Sequence, residues 1–304
     1  MGGGRVGTGP VTRELICAAL LLVAIVAGTA SDTPVSKPPV TLGGYRVLAA
    51  DFHVHPFPLS SGTLAPWDIA VEARRQGLDA LAITPHNQTW GGRAGAWFWR
   101  RFGGPIVIPG EEIHGPHFHL IGLGIQQTIS WRLPADEAID EVHRQGGVAI
   151  AAHPTTPSWR YWEPAAGRLD GAEVLQPIAY VAPGVALELQ KFFERRPLAA
   201  IGSSDYHGFG PLGLCRTLVF VREATPEATP EGILEALRAH RTVVFDGKRA
   251  WGDPALVPLA LEHPELAVPP PLAPRARALI LLSRVCGLSG LLGLVILVAT
   301  PDRR

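Results

Sequence analysis

Short apolar runs alternate with amphipathic runs between about residues 45 and 250. YRVLAADFHVH, LDALAITPH and VAIAAHP are typical of buried strands, whereas WDIAVEARRQ and PADEAIDEVHRQGG are typical of amphipathic helices. Proline suits the first turn of a helix and glycine suits the residue after its end, so Pro66 and Gly77 delimit the first of these helices. Strands that alternate with helices in this way predict an α/β fold with a parallel sheet or a β/α barrel.

The pattern is different near the N-terminus. The apolar run LICAALLLVAIVAGT, residues 15–29, follows Arg5 and Arg13 and ends in small residues. A positive flank, an apolar stretch and small residues describe a secretory signal, and an uncleaved membrane anchor fits nearly as well. Residues 1–31 are therefore expected to be a signal peptide or an N-terminal anchor, and both send the next segment out of the cytoplasm.

A second apolar run lies at the C-terminal end. It is long enough to cross a hydrocarbon core of roughly 30 Å, and Arg284 lies where a long side chain can reach the membrane interface. We expect a transmembrane helix over residues 277–300, with a terminal helix docked on the domain as the alternative. The proline-rich stretch before it predicts a stiff linker over residues 251–276. The favoured topology has both termini in the cytoplasm and the domain outside.

Composition adds three constraints. The 304 residues contain 27 basic and 27 acidic side chains, so nothing in the total charge indicates a nucleic acid partner. Only 18% of residues are charged and the mean hydropathy is +0.17, which the two apolar ends explain. Cys17 and Cys286 lie in the apolar segments and Cys215 stands alone in the domain, so no disulfide is available within the domain.

Metal-binding residue types follow the strands at the same position in each unit. In a β/α barrel the C-terminal ends of the strands converge on one mouth, which carries the active site. Histidine mixed with carboxylate suits Zn, Mn or Fe, and the sequence does not choose among these metals. The residues that share this position are His53, His55, His86, Glu112, His153, Asp205 and His207.

Several neighbouring residues have two interpretations. Glu111 competes with Glu112 for the inward position, and His117 alternates with His119, so that one of each pair faces the core. His114 is substrate-facing or incidental. Arg160 and Arg216 are candidate anion binders, because a guanidinium matches a phosphate with two bonds, or they are surface ion-pair residues. Five tryptophans are expected in two loops at the mouth: Trp90, Trp97, Trp99, Trp159 and Trp162. Their role is to pack against the domain, to form an apolar rim or to contact a membrane interface.

Several motifs together resemble the PHP (polymerase and histidinol phosphatase) superfamily. DFHVH, SSGTLAPWDIAVEARRQGLDALAITPHN, PGEEI, HLIG, AHP and GSSDYH occur in the order that superfamily has, over roughly residues 49–246. The resemblance implies a distorted (β/α)7 barrel, here over residues 45–250, with two or three divalent metal ions. The ligands carry over onto His53, His55, Glu112, His119, His153, Asp205 and His207, with His86 at the third-metal position.

The chain departs from that pattern at two places. The usual Thr-Asp-His-Asn element is Thr84-Pro85-His86-Asn87 here. The usual Ser-Asp-Gly after the His-x-His pair is Ser60-Ser61-Gly62, with one extra residue before it. The resemblance assigns the aspartate replaced by Ser61 to the third metal, so two sites are expected and the third is in doubt.

The expected function is therefore that of a metal-dependent hydrolase, with phosphate esters as the first choice of small-molecule substrate. His53, His55, Glu112 and Asp205 would hold one cation, and Glu112, His119 and His153 a second. Water activated between the cations would attack the substrate, with His207 and His86 binding a third metal or acting as general acid and substrate contact. The alternatives are a carboxylic ester or carbamate hydrolase of the same fold, or a membrane-tethered scaffold without activity.

Overall fold

The computed structural model describes residues 10–31, 38–208, 210–222 and 228–299. The chain divides into a barrel unit, Val35–Pro270, and a helical unit, which combines Met1–Pro34 with Pro271–Arg304. Within the described residues the helical unit contains α1 (Pro10–Ala30) and α10 (Pro274–Ala299).

One mixed sheet forms the barrel unit. Its spatial order is β11-β10-β9-β2-β3-β4-β5-β6-β7-β8, and β1 pairs with β2 off this path. The strands of the described residues are β1 (Val40–Leu42), β2 (Tyr45–Asp51), β3 (Ala80–Ile83), β4 (Ile106–His114), β5 (His119–Leu123), β6 (Val148–Ala152), β7 (Gly171–Leu175), β8 (Ala199–Gly202), β9 (Thr217–Arg222), β10 (Thr242–Phe245) and β11 (Ala250–Gly252).

The sheet is parallel only in part. β2, β3 and β4 run parallel, as do β6, β7 and β8, but β5 lies antiparallel between β4 and β6, and β9 lies antiparallel to β2. The hydroxyl of Thr217 in β9 donates to the carbonyl of Gly202 in β8 over 2.9 Å, and the amide of Gly202 donates back over 3.0 Å. These bonds join β8, at one end of the sheet, to β9, which lies near the other end, so the α/β sheet is a nearly closed, distorted barrel, as the sequence predicts.

Helices cover the outside of this barrel. Apolar residues fill both faces of the strands because the sheet is covered on both sides. In β2, for example, Leu48 and Ala50 pack inside the barrel, whereas Val47 and Ala49 pack under the helices. The helices of the barrel unit are α2 (Pro66–Arg75), α3 (Trp90–Phe102), α4 (Ala135–Arg144), α5 (Thr156–Trp162), α6 (Ile178–Val181), α7 (Pro183–Glu194), α8 (Pro230–Arg238) and α9 (Val257–Leu261).

The structure corrects two expectations here. Residues 251–270 fold onto the barrel, with the side chains of Trp251, Leu256 and Ala260 buried, instead of forming the first part of a linker over residues 251–276. The five tryptophans lie on α3 and α5 and not in loops, since their spacing there is helical. Trp99 and Trp162 are buried, whereas Trp90 and Trp97 are 55% exposed, and local composition does not indicate this difference.

Candidate metal centre

The His-x-His pair continues the line of β2. Val54 pairs with Tyr206, and main-chain bonds of 3.1 and 3.2 Å join His55 to Tyr206 and Tyr206 to His53. This extended backbone points both imidazoles into the barrel, where His53 and His55 are completely buried. Their Nε2 atoms lie 3.0 Å apart. Two buried ring nitrogens therefore face one point.

Glu112 on β4 lies at the centre of the cluster, and its two carboxylate oxygens face different histidines. Oε2 is 3.5 Å from the Nε2 atoms of His53 and His55 and 3.0 Å from Nε2 of His86. Oε1 is 2.8 Å from Nδ1 of His119 and 3.2 Å from Nε2 of His153. The carboxylate thus divides the donors into two groups.

Asp205 and His207 complete the cluster from the segment after β8. Asp205 Oδ1 lies 3.0 Å from His55 Nε2 and 3.3 Å from His53 Nε2. His207 Nδ1 donates to the Asp205 carbonyl over 2.7 Å, which leaves its Nε2 free, and its ring centre is 4.3 Å from that of His55. The structure brings all eight predicted ligands together at one end of the barrel: His53, His55, His86, Glu112, His119, His153, Asp205 and His207.

The spacing of these donors fits a cation. Metal–ligand distances of about 2.0–2.2 Å place neighbouring donors of a tetrahedral site roughly 3.3–3.6 Å apart. The donors around His53, His55, Asp205 and Glu112 Oε2 are separated by 3.0–3.5 Å. The second group, Glu112 Oε1 with His119 and His153, offers three donors, and three protein ligands with an open position are typical of a catalytic site.

Glu173 on β7 supports the cluster from behind, and sequence reasoning missed it. One carboxylate oxygen accepts from His53 Nδ1 over 2.8 Å and from the Ser203 hydroxyl, and the other accepts from the His153 amide and from Gln176, both over 2.6 Å. The bond to Nδ1 fixes the tautomer that leaves His53 Nε2 bare. The available signal was the single acidic residue in AEVLQ, within an otherwise apolar strand.

Two more polar groups hold the His-x-His segment. Asp51 is fully buried and accepts from the His53 amide over 3.3 Å, from the Gly213 amide over 3.0 Å and from the Ser204 hydroxyl over 2.5 Å. The Ser60 hydroxyl lies 3.1 Å from His55 Nδ1 and accepts from the His86 amide over 3.2 Å. Ser60 therefore joins the two segments that depart from the superfamily pattern.

The charged groups of the cluster shift one another's pKa values. Burial lowers the pKa of His53, but Asp205, Glu173 and Glu112 outweigh burial and raise it well above its ordinary value. Burial and the neighbouring His53 cation lower the pKa of His55 to about 4, despite its bond to Asp205. The pKa of Glu112 falls well below its usual range, because His53 and the histidine hydrogen bonds outweigh burial. The carboxylates thus stabilise positive charge at the centre, which a bound cation would supply.

Two of the predicted ligands have unusual backbone conformations. His153 has φ 28° and Asp205 has φ 45°, in the left-handed region that residues other than glycine seldom occupy. Such strain persists where surrounding contacts hold it, and it clusters at functional sites. At His153, the bond from its amide to Glu173 is one of those contacts.

A cavity of about 470 Å³ opens beside the second donor group. His119 and His153 line it on one side, and Arg160 and Tyr161 of α5 on the other. The His117 ring stacks on Tyr161 at 4.2 Å, so His117 belongs to the cavity wall and His119 to the cluster. His114 also lines this space, with its ring centre 3.7 Å from that of His119.

The two candidate anion binders occupy different environments. Arg160 is exposed at the cavity, where it donates to the Tyr161 hydroxyl over 2.7 Å. Arg216 is 2% exposed, and its guanidinium donates to the main-chain carbonyls of Gly213 over 2.8 Å and Gln76 over 3.1 Å. Burial lowers its pKa to about 10. The structure therefore does not place Arg216 at the cavity, because this side chain is committed to supporting the backbone.

Sequence comparison gives two matches. Residues 188–242 match the PHP-associated family. The chain is 31% identical over 171 residues to the uncharacterised protein MJ1587 of Methanocaldococcus jannaschii. This alignment covers 50% of this chain and 96% of MJ1587. The match to MJ1587 thus spans nearly the whole of the archaeal protein.

Two solved structures are similar to this chain. A two-domain protein from Bacteroides vulgatus, described as containing a predicted PHP-like metal-dependent phosphoesterase, aligns with a TM-score of 0.57 and 22% identity over 76% of this chain and 74% of its own. An amidohydrolase from Chromobacterium violaceum aligns with a TM-score of 0.46 and 18% identity over 66% of this chain and 99% of its own. The first of these supports a barrel of the PHP type.

Proposed function

From the match of residues 188–242 to the PHP-associated family and the fold shared with a PHP-like protein, we propose that the chain is a metal-dependent hydrolase of the PHP type that cleaves small phosphate esters with two divalent cations. The observation that carries this proposal is the position of Glu112. Its Oε2 faces His53 and His55, and its Oε1 faces His119 and His153. One buried carboxylate between two sets of histidines suits two neighbouring cations that share a ligand.

The protein would hold the cations in two groups. His53, His55, Asp205 and Glu112 Oε2 supply the first, which lies deepest in the barrel. Glu112 Oε1, His119 and His153 supply the second, which faces the cavity. Bound cations would activate water and offset the negative charge that develops on a phosphoryl group. Zn, Mn and Fe all suit this mixture of imidazole and carboxylate.

The remaining side chains position the substrate and move protons. His86 and His207 are partly exposed, with side chains 30% and 32% accessible, and their ring centres lie 6.3 Å apart. Because His207 donates through Nδ1 to Asp205, its Nε2 can accept a proton or, once protonated, return it to a leaving group. His55, His86 and His207 also form a third group of donors without a carboxylate of their own, so a third cation would bind weakly.

Arg160 is the proposed contact for the phosphate. It lines the cavity next to His119 and His153, and its guanidinium carbon lies over the Tyr161 ring, 4.7 Å from the ring centre. A planar guanidinium held in this way can bind a phosphate by donating two parallel hydrogen bonds to its oxygens. Arg216 is not part of this proposal.

Matched aryl substrates test the type of bond that is cleaved. The full chain in detergent is assayed with added Mn or Zn on 4-nitrophenyl phosphate and on 4-nitrophenyl acetate, beside His53→Ala and the exposed-site control Glu137→Gln. We expect phosphate turnover that His53→Ala abolishes and Glu137→Gln keeps. Brisk ester turnover without phosphate turnover would replace the proposal by the ester or carbamate hydrolase. Metal below one equivalent, unchanged by His53→Ala, would favour the scaffold.

Membrane attachment through the two ends is the second part of the proposal. Thr12–Ala30 and Pro274–Ala299 are long and apolar enough to cross a bilayer. The barrel unit would then lie outside the cytoplasm, with both chain ends inside. Fractionation of cells that produce the tagged full chain tests attachment, and recovery of the protein in the soluble fraction would contradict it.

A further inference from the structure

Each terminal helix has one narrow buried stripe and is otherwise exposed. α1 buries Cys17, Ala24 and Ala27, and α10 buries Ala276 and Gly290. The remaining surface carries exposed leucine, isoleucine and valine side chains, and only 17% and 11% of the two apolar windows are buried. A core helix of a soluble protein is covered on most sides, whereas the main contact of each of these helices, within the described residues, is with the other.

The two stripes face each other in antiparallel register. As residue numbers fall along α1, those of the contacting residues rise along α10. The contacting pairs are Gly28 with Ser283, Ala24 with Gly287, Leu21 with Gly290, and Cys17 with Gly293. This regular spacing means that the contact continues along the length of both helices and is not a single crossing point.

Glycines allow the helices to approach closely. A Cβ added at Gly290 would lie 2.9 Å from the Leu21 side chain, and one at Gly293 would lie 2.5 Å from Cys17 Sγ. The Ser283 hydroxyl donates to the main-chain carbonyl of Ala24 over 2.8 Å. Small residues at the contact together with a hydroxyl bond between helices are the means by which helices associate in lipid, where the hydrophobic effect does not drive them together.

We propose that α1 and α10 form an antiparallel pair that crosses a lipid bilayer, so that α1 is a permanent anchor and not a cleaved signal. The helices have 21 and 26 residues, which is about 31 and 39 Å at 1.5 Å per residue, enough for a core of roughly 30 Å. Removal of α1 would leave the glycine face and the Ser283 hydroxyl without their partner in lipid.

The antiparallel register also fixes the topology. Pro10 of α1 and Ala299 of α10 then lie on one face of the membrane, and Ala30 and Pro274 lie on the other. The proposal rests on membrane attachment and is independent of hydrolase activity.

Disulfide trapping in the full chain tests the register. In a Cys17→Ala, Cys286→Ala background, Ala24→Cys is combined with Gly287→Cys, because the two Cβ atoms would lie 3.5 Å apart, within the range of a disulfide. The control combines Ala24→Cys with Leu288→Cys, whose side chain is 70% exposed on the outer face. After mild oxidation of membranes, tryptic fragments that carry the two cysteines are analysed by mass spectrometry.

We expect the linked fragments as the main product for the 24/287 pair and only a trace for the 24/288 pair. The unmodified chain should retain residues 10–31 at its N-terminal end and resist extraction by alkaline carbonate. A chain that begins after residue 31, release by carbonate, or equal linkage in both pairs would overturn the proposal. Linkage only between mass-labelled and unlabelled copies would also overturn it, since the pair would then form between chains.

Discussion

Glu173 offers the most specific test of how the cluster is held. In Glu173→Gln the side chain keeps its size, but one carboxylate oxygen becomes an amide that donates. That amide faces either His53 Nδ1 and Ser203 or the His153 amide and Gln176, all of which donate in the wild type. The variant therefore loses the acceptor that fixes the His53 tautomer, or it disturbs the backbone of His153.

The size of the effect follows from two contributions. Loss of a partner behind a metal-binding histidine typically weakens metal binding about 10–100-fold. With metal in excess this removes about 1.4–2.7 kcal/mol of metal-dependent stabilisation. For a unit of this size each kcal/mol corresponds to about 2–4 °C, so the rise in Tm on adding metal should shrink by about 3–11 °C. Each buried donor left without a partner would also lower the metal-free unfolding free energy by about 1–3 kcal/mol, and the metal-free Tm would fall with it.

Calorimetric titration with Mn or Zn and thermal unfolding with and without metal measure both contributions. Glu137→Gln, on the exposed face of α4, is the matched control and should behave as the wild type. If Glu173→Gln folds and binds metal as tightly as the wild type, the tautomer argument is refuted. If its metal-free Tm falls while metal affinity is unchanged, Glu173 has a structural role alone.

Three further predictions concern other parts of the barrel unit. Gly62→Ala should lower the unfolding free energy by about 3 kcal/mol or more in a denaturant titration, because the new Cβ would lie 1.7 Å from the His55 carbonyl oxygen; Gly184→Ala, with open space around it, should be near neutral. Arg160→Ala should raise KM for a phosphate ester about tenfold or more, from one lost charged hydrogen bond of about 1.5–3 kcal/mol, with kcat nearly unchanged; an unaltered KM would remove Arg160 from the site. His143→Gln should lower the unfolding free energy, measured by denaturant titration, by a few tenths of a kcal/mol below about pH 6.5 and not at all near pH 9. The bond to Asp170 raises the pKa of this half-exposed histidine, so the stabilisation is present at low pH and is lost as pH rises; a larger loss of stability at pH 9 would contradict the assignment.

The barrel was predictable from the sequence because its strands are short, apolar and followed by amphipathic helices. Such local patterns did not reveal the direction of the strands. β5 runs antiparallel because only four residues, Gly115 to Phe118, separate it from β4, which is too short for a crossover helix. The prediction of a linker over residues 251–270 was wrong for a related reason. Proline and glycine content does not indicate whether a few apolar side chains pack against the rest of the domain.

Most of the candidate ligands could be assigned to one mouth from the sequence, because they lie at or just after the ends of strands that converge there; His119, at the start of the antiparallel β5, was assigned from the resemblance. Choices between neighbours depend on which side chain points inward, and the structure places Glu112 and His119 in the cluster. Glu173 was missed because a carboxylate behind a ligand has no spacing signal of its own. Arg216 was assigned to substrate because a guanidinium's partners, here two main-chain carbonyls, are invisible in sequence.

Metal content and phosphate release, measured together on the purified full chain, test the central claim most directly. We predict about two equivalents of Mn, Zn or Fe per chain and hydrolysis of 4-nitrophenyl phosphate, with both lost on chelation and both reduced in Glu112→Gln, because that carboxylate serves both donor groups. Fewer than one equivalent of metal, or phosphate release that is unchanged in Glu112→Gln, would contradict it.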